Sequence, residues 1–149
     1  MTDLLIRRAT AADAADVARL LTQLGYPTER ADVPERLGRM AAQDRAAVFL
    51  AQRGPGVIGL ATVHVHAPLN RRGDVAWLTA LVVDEAVRGM GVGRALVAAV
   101  EAYACAAGCE RLSVTTYEDR ADAQAFYVRV GLEPTGRRFG KALLPWPAP

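Results

Sequence analysis

Three glycines alternate with other residues in the stretch Arg88-Gly89-Met90-Gly91-Val92-Gly93-Arg94. An apolar run, Trp77–Val83, precedes this stretch, and an apolar-periodic segment, Ala95–Ala107, follows it. This order predicts a strand, a glycine-rich turn and the start of a helix. Backbone amides at such a turn can point at one anion, and the helix dipole adds to the attraction. The stretch therefore predicts a phosphate-binding turn.

Two common nucleotide-binding motifs do not fit this turn. A P-loop requires Gly-Lys followed by Ser or Thr, and the chain contains no such tripeptide. The dinucleotide motif Gly-x-Gly-x-x-Gly lacks its last glycine, because Arg94 and Leu96 occupy the two places where it would fall. That motif also follows the first strand of its fold, whereas this turn follows the fourth predicted strand. A glycine turn that serves only close packing of strand and helix remains the alternative.

The chain before the turn divides into two helix patterns and four strand patterns. Leu4–Arg8 predicts a short strand, and Thr10 with Asp13 resembles a capping box for the helix that follows. That helix ends at Gly25, and a weaker helix runs from about Asp32 or Pro34 to Gln43. The remaining predicted strands are Ala47–Ala51, Val57–His66 and Val75–Val83. The first two form an antiparallel hairpin, and the third is apolar enough to be a central strand covered on both faces.

After the turn, the patterns continue as helix, strand, helix and a closing hairpin. The first helix ends at Gly108, and Arg111–Thr116 alternates as a strand. A helical stripe then consists of Ala123, Phe126, Tyr127 and Val130. The closing hairpin is predicted around Leu132-Glu133 and Arg138–Leu144. The order β-α-α-β-β-β-α-β-α-β-β predicts a mixed α/β fold, with a mostly antiparallel central sheet flanked by helices. Residues 1–144 are predicted as a single domain, followed by a proline-rich tail at 145–149.

Composition indicates an ordered protein and gives no indication of nucleic-acid binding or of a membrane span. Of the 149 residues, 52% are hydrophobic and 23% are charged, which suits a globular domain. A net charge of +2 gives no general attraction to nucleic acid. No apolar run is long enough for a membrane span, and no signal peptide is recognisable, so we expect a cytoplasmic protein. With two histidines, and two cysteines four residues apart, we expect structural thiols and no metal site.

Two blocks of this sequence resemble a known family. Leu81-Val82-Val83-Asp84, followed by the stretch Arg88–Leu96, resembles the acetyl-coenzyme A-binding motif of the GNAT N-acetyltransferase superfamily. Ala123–Leu132 is similar to the family's second block and stands at the expected distance. The opening of the chain and the segment Pro134–Phe139 are also typical, so the resemblance covers nearly the whole chain. It implies the GNAT fold and an acetyl-coenzyme A-dependent N-acetyltransferase.

The resemblance assigns a binding site for acetyl-coenzyme A. The pyrophosphate would be held by the backbone amides of Arg88, Gly89, Met90, Gly91, Val92 and Gly93, with Arg94 at the helix start. Leu81, Val82 and Val83 would splay from the neighbouring strand and offer backbone groups to the pantetheine arm. The Val83 amide would donate to the thioester carbonyl, where negative charge develops during attack. The glycines suit this role because side chains would keep the backbone away from the phosphate oxygens.

Tyr127 matches the family's tyrosine that protonates the departing thiolate. A phenol, with a pKa of about 10, can donate a proton to a coenzyme A sulfur within hydrogen-bond reach. The stripe of residues to which Tyr127 belongs also allows a plain core aromatic.

The general base departs from the family pattern. Many members carry a glutamate on the fourth strand where this chain has Thr79, which could at most order a water that takes the proton. The other candidates are His64 and His66 on the third strand and Glu118 after the fifth. Arg120 also stands where the family often has an asparagine. These departures favour, as an alternative, a non-catalytic domain that binds or senses acyl-coenzyme A.

The resemblance also bears on the acceptor and on the oligomeric state. The acceptor would be a primary amine, on a small molecule or on a peptide or protein. The segment from Tyr26 to Arg36 would wall the acceptor site, and its acidic residues Glu29, Asp32 and Glu35 could attract a cationic amine or could simply be solvated. The resemblance implies a possible homodimer through the segment Leu143-Leu144-Pro145-Trp146.

Overall fold

Five strands form one sheet in the order β1-β2-β3-β4-β5. The structure is a computed structural model that describes residues 3–116 and 120–144. The strands are β1 (Leu4–Arg8), β2 (Ala46–Arg53), β3 (Gly56–His66), β4 (Asp74–Val83) and β5 (Cys109–Val114). The first four strands pair antiparallel, and β5 alone runs parallel to its neighbour β4. The mixed, mostly antiparallel sheet predicted from the sequence is therefore confirmed.

Four α-helices accompany this sheet within the described residues. They are α1 (Ala14–Leu24), α2 (Val33–Ala41), α3 (Val92–Ala106) and α4 (Ala121–Arg129), and short 3-10 turns precede α1, α2 and the glycine turn. The chain divides into two compact units, Met1–Val114 and Thr115–Pro149. All five strands and α1 to α3 belong to the first unit, and α4 belongs to the second.

Helices α1 and α2 contribute to one apolar core with the sheet. Leu20 of α1 and Val33 of α2 are almost fully buried together with Leu50, Leu60 and Val82 of the strands. Gly25 ends α1 with a φ of 109°, a left-handed conformation that glycine adopts without steric cost. The predicted end of this helix at Gly25 is therefore confirmed.

The opposite side of the sheet is covered by α3. A Cβ atom at Gly59 of β3 would lie 2.9 Å from Leu96 Cδ1 and 3.1 Å from Val92 Cγ1. A Cβ atom at this position would force the Leu96 and Val92 side chains to shift, so glycine lets α3 pack closely on the sheet without such a rearrangement. Leu96, Val97 and Val100 are buried on the inner face of α3, as their spacing predicts.

Two expectations about the sheet are wrong. Residues 132–144, where a closing hairpin was predicted, contain no strand, so the last two elements of the predicted order are absent there. Pro134, Gly136 and Gly140 interrupt this segment, and the first lacks the amide hydrogen that a ladder requires. In addition, β4 is not covered on both faces along its length, because Trp77 is 37% exposed and Thr79 is exposed.

In the second unit, α4 has the predicted stripe. Ala123, Phe126, Tyr127 and Val130 are its less exposed positions, while the residues between them are exposed. Gly131, with a φ of 98°, follows the helix. The helix was therefore correctly predicted, including the residue that ends it.

An ion pair fixes the start of α1. The Asp13 carboxylate accepts hydrogen bonds from Arg7 Nη1 and Nη2 at 2.9 and 2.8 Å and from the Thr10 amide at 2.8 Å. This is the capping box expected from the sequence. The Arg7 hydrogen bonds are the main reason that the pKa of Asp13 falls from 3.8 to about 2.

We predict that this pair makes the stability of the protein sensitive to acid. A carboxylate whose pKa is lowered by folding stabilises the fold above its unfolded pKa, and that contribution is lost as the pH falls through the folded value. Asp13→Asn should therefore lower the free energy of unfolding at pH 7 by about 2 kcal/mol, with the difference vanishing near pH 2. Urea titrations at both pH values measure this. Asp16→Asn, which removes an exposed pair with Arg19, should change stability by less than about 1 kcal/mol; equal effects of the two variants would contradict the prediction.

Candidate active site

Strand β4 parts from β5 halfway along its length. The ladder between them begins at Asp74 and Cys109 and ends at Leu78 and Val114. At the same point β4 contains one extra residue, since Thr62 of β3 lies opposite Ala80 and Val63 lies opposite Leu78. The extra residue is Thr79. A bulge of this kind bends its strand and interrupts pairing, so residues 79–83 continue beyond the end of the β5 ladder.

The backbone of Val83 points toward the side that β5 leaves open. The amide of Asp84 donates to the Ile58 carbonyl of β3 at 2.8 Å. Val83 itself lies opposite Gly59. Because hydrogen-bonded and non-hydrogen-bonded pairs alternate along an antiparallel ladder, Val83 and Leu81 direct their amides away from β3. This is the splayed strand end expected from the sequence.

A short 3-10 turn leads from β4 into the glycine turn. It spans Glu85–Val87, and Asp84 is its N-cap residue. Gly89 and Gly91 then have φ values of 82° and 83°, which place both in the left-handed region. No atom lies within 4 Å of a Cβ built on either glycine. Backbone conformation, and not lack of space, is therefore the reason for glycine at both positions.

Helix α3 begins with a group of amides that have no intrahelical acceptor. Gly91 is its N-cap residue, and the first backbone hydrogen bond of the helix runs from the Ala95 amide to the Gly91 carbonyl at 3.1 Å. The amides of Gly91, Val92, Gly93 and Arg94 precede that bond. Val92 is only 1% exposed, so the helix start is anchored in the core. An anion at this position would meet several N–H donors and the positive end of the helix dipole.

The charged and apolar side chains of the turn are exposed. Arg88 donates from Nε to the Val83 carbonyl at 3.2 Å. Arg94 is exposed at the helix start, and Met90 is 58% exposed. The residues predicted to bind the cofactor, from Leu81–Val83 to Arg88–Arg94, thus form one continuous strand end, turn and helix start.

Three of the four candidates for the general base lie close together on β3 and β4. The Thr79 hydroxyl is 2.6 Å from the Thr62 hydroxyl. His64 and His66 share a face of β3 with Thr62, because side chains alternate along a strand. His66 contacts the ring of Trp77, with centroids 6.2 Å apart. We call these residues, Thr62, His64, His66, Trp77 and Thr79, the polar face of the sheet.

His64 is held by a residue that follows α2. Its Nδ1 lies 3.2 Å from Gln43 Oε1. An amide oxygen only accepts hydrogen bonds, so this contact favours the tautomer that carries its proton on Nδ1 and keeps a lone pair on Nε2. The remaining base candidate, Glu118, lies outside the described residues.

One carboxylate of the acidic segment that leads into α2 accepts a hydrogen bond from the backbone of the same segment. Asp32 Oδ2 accepts from the Glu29 amide at 3.3 Å, in a capping box that precedes α2. Glu29, Asp32 and Glu35 are all exposed. Asp32 thus has a structural role that its sequence position did not reveal, while Glu29 precedes that turn and Glu35 lies in the first turn of α2.

Tyr127 lies on α4 in the second unit. Its ring packs edge-to-face on Phe126, with centroids 5.6 Å apart. Burial raises the pKa of the phenol, and the positive charge of Arg120 partly opposes that shift. The phenol therefore keeps its proton at neutral pH, as a proton donor must.

A comparison with protein families identifies the family to which this chain belongs. A sequence model of the acetyltransferase (GNAT) family matches residues 14–132. The chain belongs to the GNAT acetyltransferase family. The predicted family is thereby confirmed, and this member is an acyltransferase. The matched segment contains the glycine turn, the polar face and α4.

Two curated relatives of this GNAT chain are enzymes that act on small amines. The chain is 37% identical over 136 residues to aminoglycoside N(6')-acetyltransferase type 1 of Stenotrophomonas maltophilia, covering 89% of this chain and 88% of that protein. It is 35% identical over 94 residues to the aminoalkylphosphonate N-acetyltransferase of Salmonella typhimurium, covering 63% and 61%.

The structure agrees with that of a solved family member. The aminoglycoside N-acetyltransferase AAC(6')-Iy, in complex with CoA, superposes with a TM-score of 0.85 over 95% of each chain. At 22% identity this likeness shows the fold alone.

Among residues 3–116 and 120–144 no helix is long and apolar enough to cross a membrane. The same residues contain no cluster of three His, Cys, Asp or Glu arranged to hold a metal ion.

Proposed function

We propose that this enzyme transfers the acetyl group of acetyl-coenzyme A directly to a primary amine, in a complex that holds both substrates. The observation that carries the proposal is the path of β4: the amides of Leu81 and Val83 face the side that β5 leaves open, and a short 3-10 turn then leads into the glycine turn. The pantetheine arm would lie along Leu81–Val83. The pyrophosphate would be held by the amides from Arg88 to Gly93, with Arg94 adding positive charge.

The proposed chemistry needs no covalent enzyme intermediate. The amine nitrogen attacks the thioester carbon, and a tetrahedral intermediate forms whose oxygen carries negative charge. The Val83 amide donates to that oxygen. Collapse of the intermediate breaks the carbon–sulfur bond, and Tyr127 gives its proton to the departing thiolate. The ammonium proton goes to a base, so the products are an acetamide and the free thiol of coenzyme A.

Among the base candidates we favour His64. The hydrogen bond to Gln43 fixes its ring and leaves Nε2 to accept a proton. His64 also lies opposite Trp77, two residues before the bulge at Thr79. The Thr79 hydroxyl would order a water near the amine, because its hydrogen bond to Thr62 fixes its direction.

The acceptor is proposed to be a small-molecule amine. The main support is the relationship to the aminoglycoside acetyltransferase of S. maltophilia, which extends over most of both chains. Trp77 offers an exposed aromatic surface on the polar face, and Glu29 with Glu35 would attract a cationic substrate. A peptide or protein amine is the other outcome that a screen of amines would reveal.

We further propose that residues 1–144 act as one catalytic domain and that the chain forms a homodimer. The family model extends from the first unit into the second, which supports a single domain. Phe139, Leu143 and Leu144 are 91%, 88% and 80% exposed, so the segment near the C-terminus has apolar surface to bury. A molar mass of one chain by light scattering would contradict the dimer.

We predict that Tyr127→Phe lowers turnover roughly 100-fold, because the thiolate must then leave without a proton donor. Release of coenzyme A thiol from acetyl-coenzyme A, with and without an amine panel, measures this. Binding of coenzyme A by calorimetry should be unchanged. Tyr103→Phe is the matched control: Tyr103 packs on Phe49 inside the first unit, so its variant should keep the wild-type rate.

Each alternative gives a different result in that assay. Wild-type protein that binds coenzyme A but releases no thiol in the presence of any amine would be the non-catalytic sensing domain. A Tyr127→Phe variant with the wild-type rate would remove the acid role.

We predict that His64→Gln lowers the turnover number about 100-fold at pH 7, because the ammonium group then keeps its proton. His66→Gln changes the neighbouring histidine of the same strand and should cost at least tenfold less. Initial rates at saturating acetyl-coenzyme A and amine rank the two variants. A larger loss in His66→Gln would overturn the choice of His64.

A further inference from the structure

Side chains of α1 bind the segment that connects β4 to the glycine turn. Arg19 of α1 donates from Nη1 to Asp84 Oδ2 at 2.6 Å and from Nη2 to the Val57 carbonyl at 2.7 Å. Gln23, one helical turn further on, accepts from the Glu85 amide through Oε1 at 3.2 Å. Two of these contacts join residues more than 60 positions apart in the chain, since Arg19 and Asp84 are separated by 65 positions and Gln23 and Glu85 by 62.

Asp84 is the centre of this arrangement. Its Oδ1 accepts from the Ala86 amide at 3.1 Å, and its carbonyl accepts from the Val87 amide at 3.0 Å. Its own amide donates to the Ile58 carbonyl. The Ala86 hydrogen bond, followed by the contacts with Arg19, lowers the pKa of Asp84 and keeps it ionised. Every polar group of this residue therefore fixes the path of the chain between β4 and the turn.

The Arg19–Asp84 ion pair lies just before the proposed anion-binding turn, so its position bears on cofactor binding as well as on stability. Asp84 directly follows Val83, whose amide faces the open side of β4, and precedes Gly89 and Gly91 by a few residues. A carboxylate so close to a site for two phosphates would repel them if it were unpaired. Arg19 neutralises the Asp84 carboxylate and also fixes the backbone that leads to the amide donors.

We propose that Arg19 and Asp84 are positioning residues for coenzyme A, which hold the glycine turn in its anion-binding shape before the cofactor arrives. This inference rests on the proposed function of the turn. Preorganisation lowers the entropy that binding must lose, so the pair should act on cofactor affinity. Neither residue needs to touch the reacting atoms, and the turnover number at saturating acetyl-coenzyme A should be preserved.

The test is calorimetric titration of the full-length protein with coenzyme A. Arg19→Met should weaken binding about tenfold, because it breaks charged hydrogen bonds and leaves Asp84 unpaired. Arg19→Lys, which keeps the charge, should recover most of the affinity. Adding Asp84→Asn to Arg19→Met should also recover part of it, because the unpaired charge is then gone. A purely structural role predicts that the double variant is no better than Arg19→Met.

Steady-state rates provide a second readout. Arg19→Met should raise the KM for acetyl-coenzyme A about tenfold while the kcat and the KM for the amine stay within about twofold. Asp13→Asn is the matched control, since it breaks the ion pair at the other end of α1 and should lower the unfolding midpoint without changing coenzyme A affinity. If Arg19→Met does not fold, Gln23→Leu, which removes the acceptor of the Glu85 amide, should weaken binding about threefold.

The outcomes separate this inference from the proposed function. Wild-type protein that does not bind coenzyme A overturns both. Wild-type binding together with unchanged affinity in the folded Arg19 or Gln23 variants overturns the positioning role alone. An equal loss of affinity in Asp13→Asn would show that general destabilisation, and not the pair at Asp84, is the cause.

Discussion

One extra residue in β4 gives the two halves of this strand different packing environments. Before Thr79, Leu78 shares a face with Val63 and lies on the side of the sheet that α3 covers. After Thr79 the alternation is reversed, so that Ala80 and Val82 lie on the side of α1. The β5 ladder ends at the same level. The bulge thereby produces a strand that is packed at its start and has a free backbone edge at its end.

The proposed site depends more on backbone than on side chains. The donors are amides that lie at a strand end and before the first hydrogen bond of α3, and glycines at two left-handed positions bring them into one turn. Such a turn is costly to order, because glycine loses the most conformational freedom on folding. The neighbouring contacts offset this cost: Val92 is buried in the core, Gly59 admits α3 against the sheet, and α1 holds Asp84.

Much of this arrangement could be predicted from local patterns. The strand before the turn, the glycines and the helix after it are neighbours in the sequence, so their order alone predicts the strand, turn and helix start that the structure contains. The α1 capping box and the stripe of α4 have the same local character. Family resemblance added the cofactor, and the match over residues 14–132 confirms the family.

Other features could not be predicted because they depend on partners far away in the chain. The bulge at Thr79 arises from pairing with β3, and a threonine at this position does not predict it. The Arg19–Asp84 pair joins a helix to a strand end, and the role of Asp32 depends on the turn that it caps. The closing hairpin predicted around Leu132-Glu133 and Arg138–Leu144 does not form in residues 132–144, where proline and glycine interrupt the chain.

A crystal structure of the protein with coenzyme A would show directly whether the glycine turn binds the cofactor. We expect pyrophosphate oxygens within hydrogen-bond distance of the amides from Arg88 to Gly93, with the pantetheine arm beside Leu81–Val83. We also expect the turn to keep the φ values of Gly89 and Gly91 seen without the cofactor. Coenzyme A bound elsewhere, for example in the cavity between α2 and β2 lined by Leu37, Met40 and Val48, would contradict this expectation.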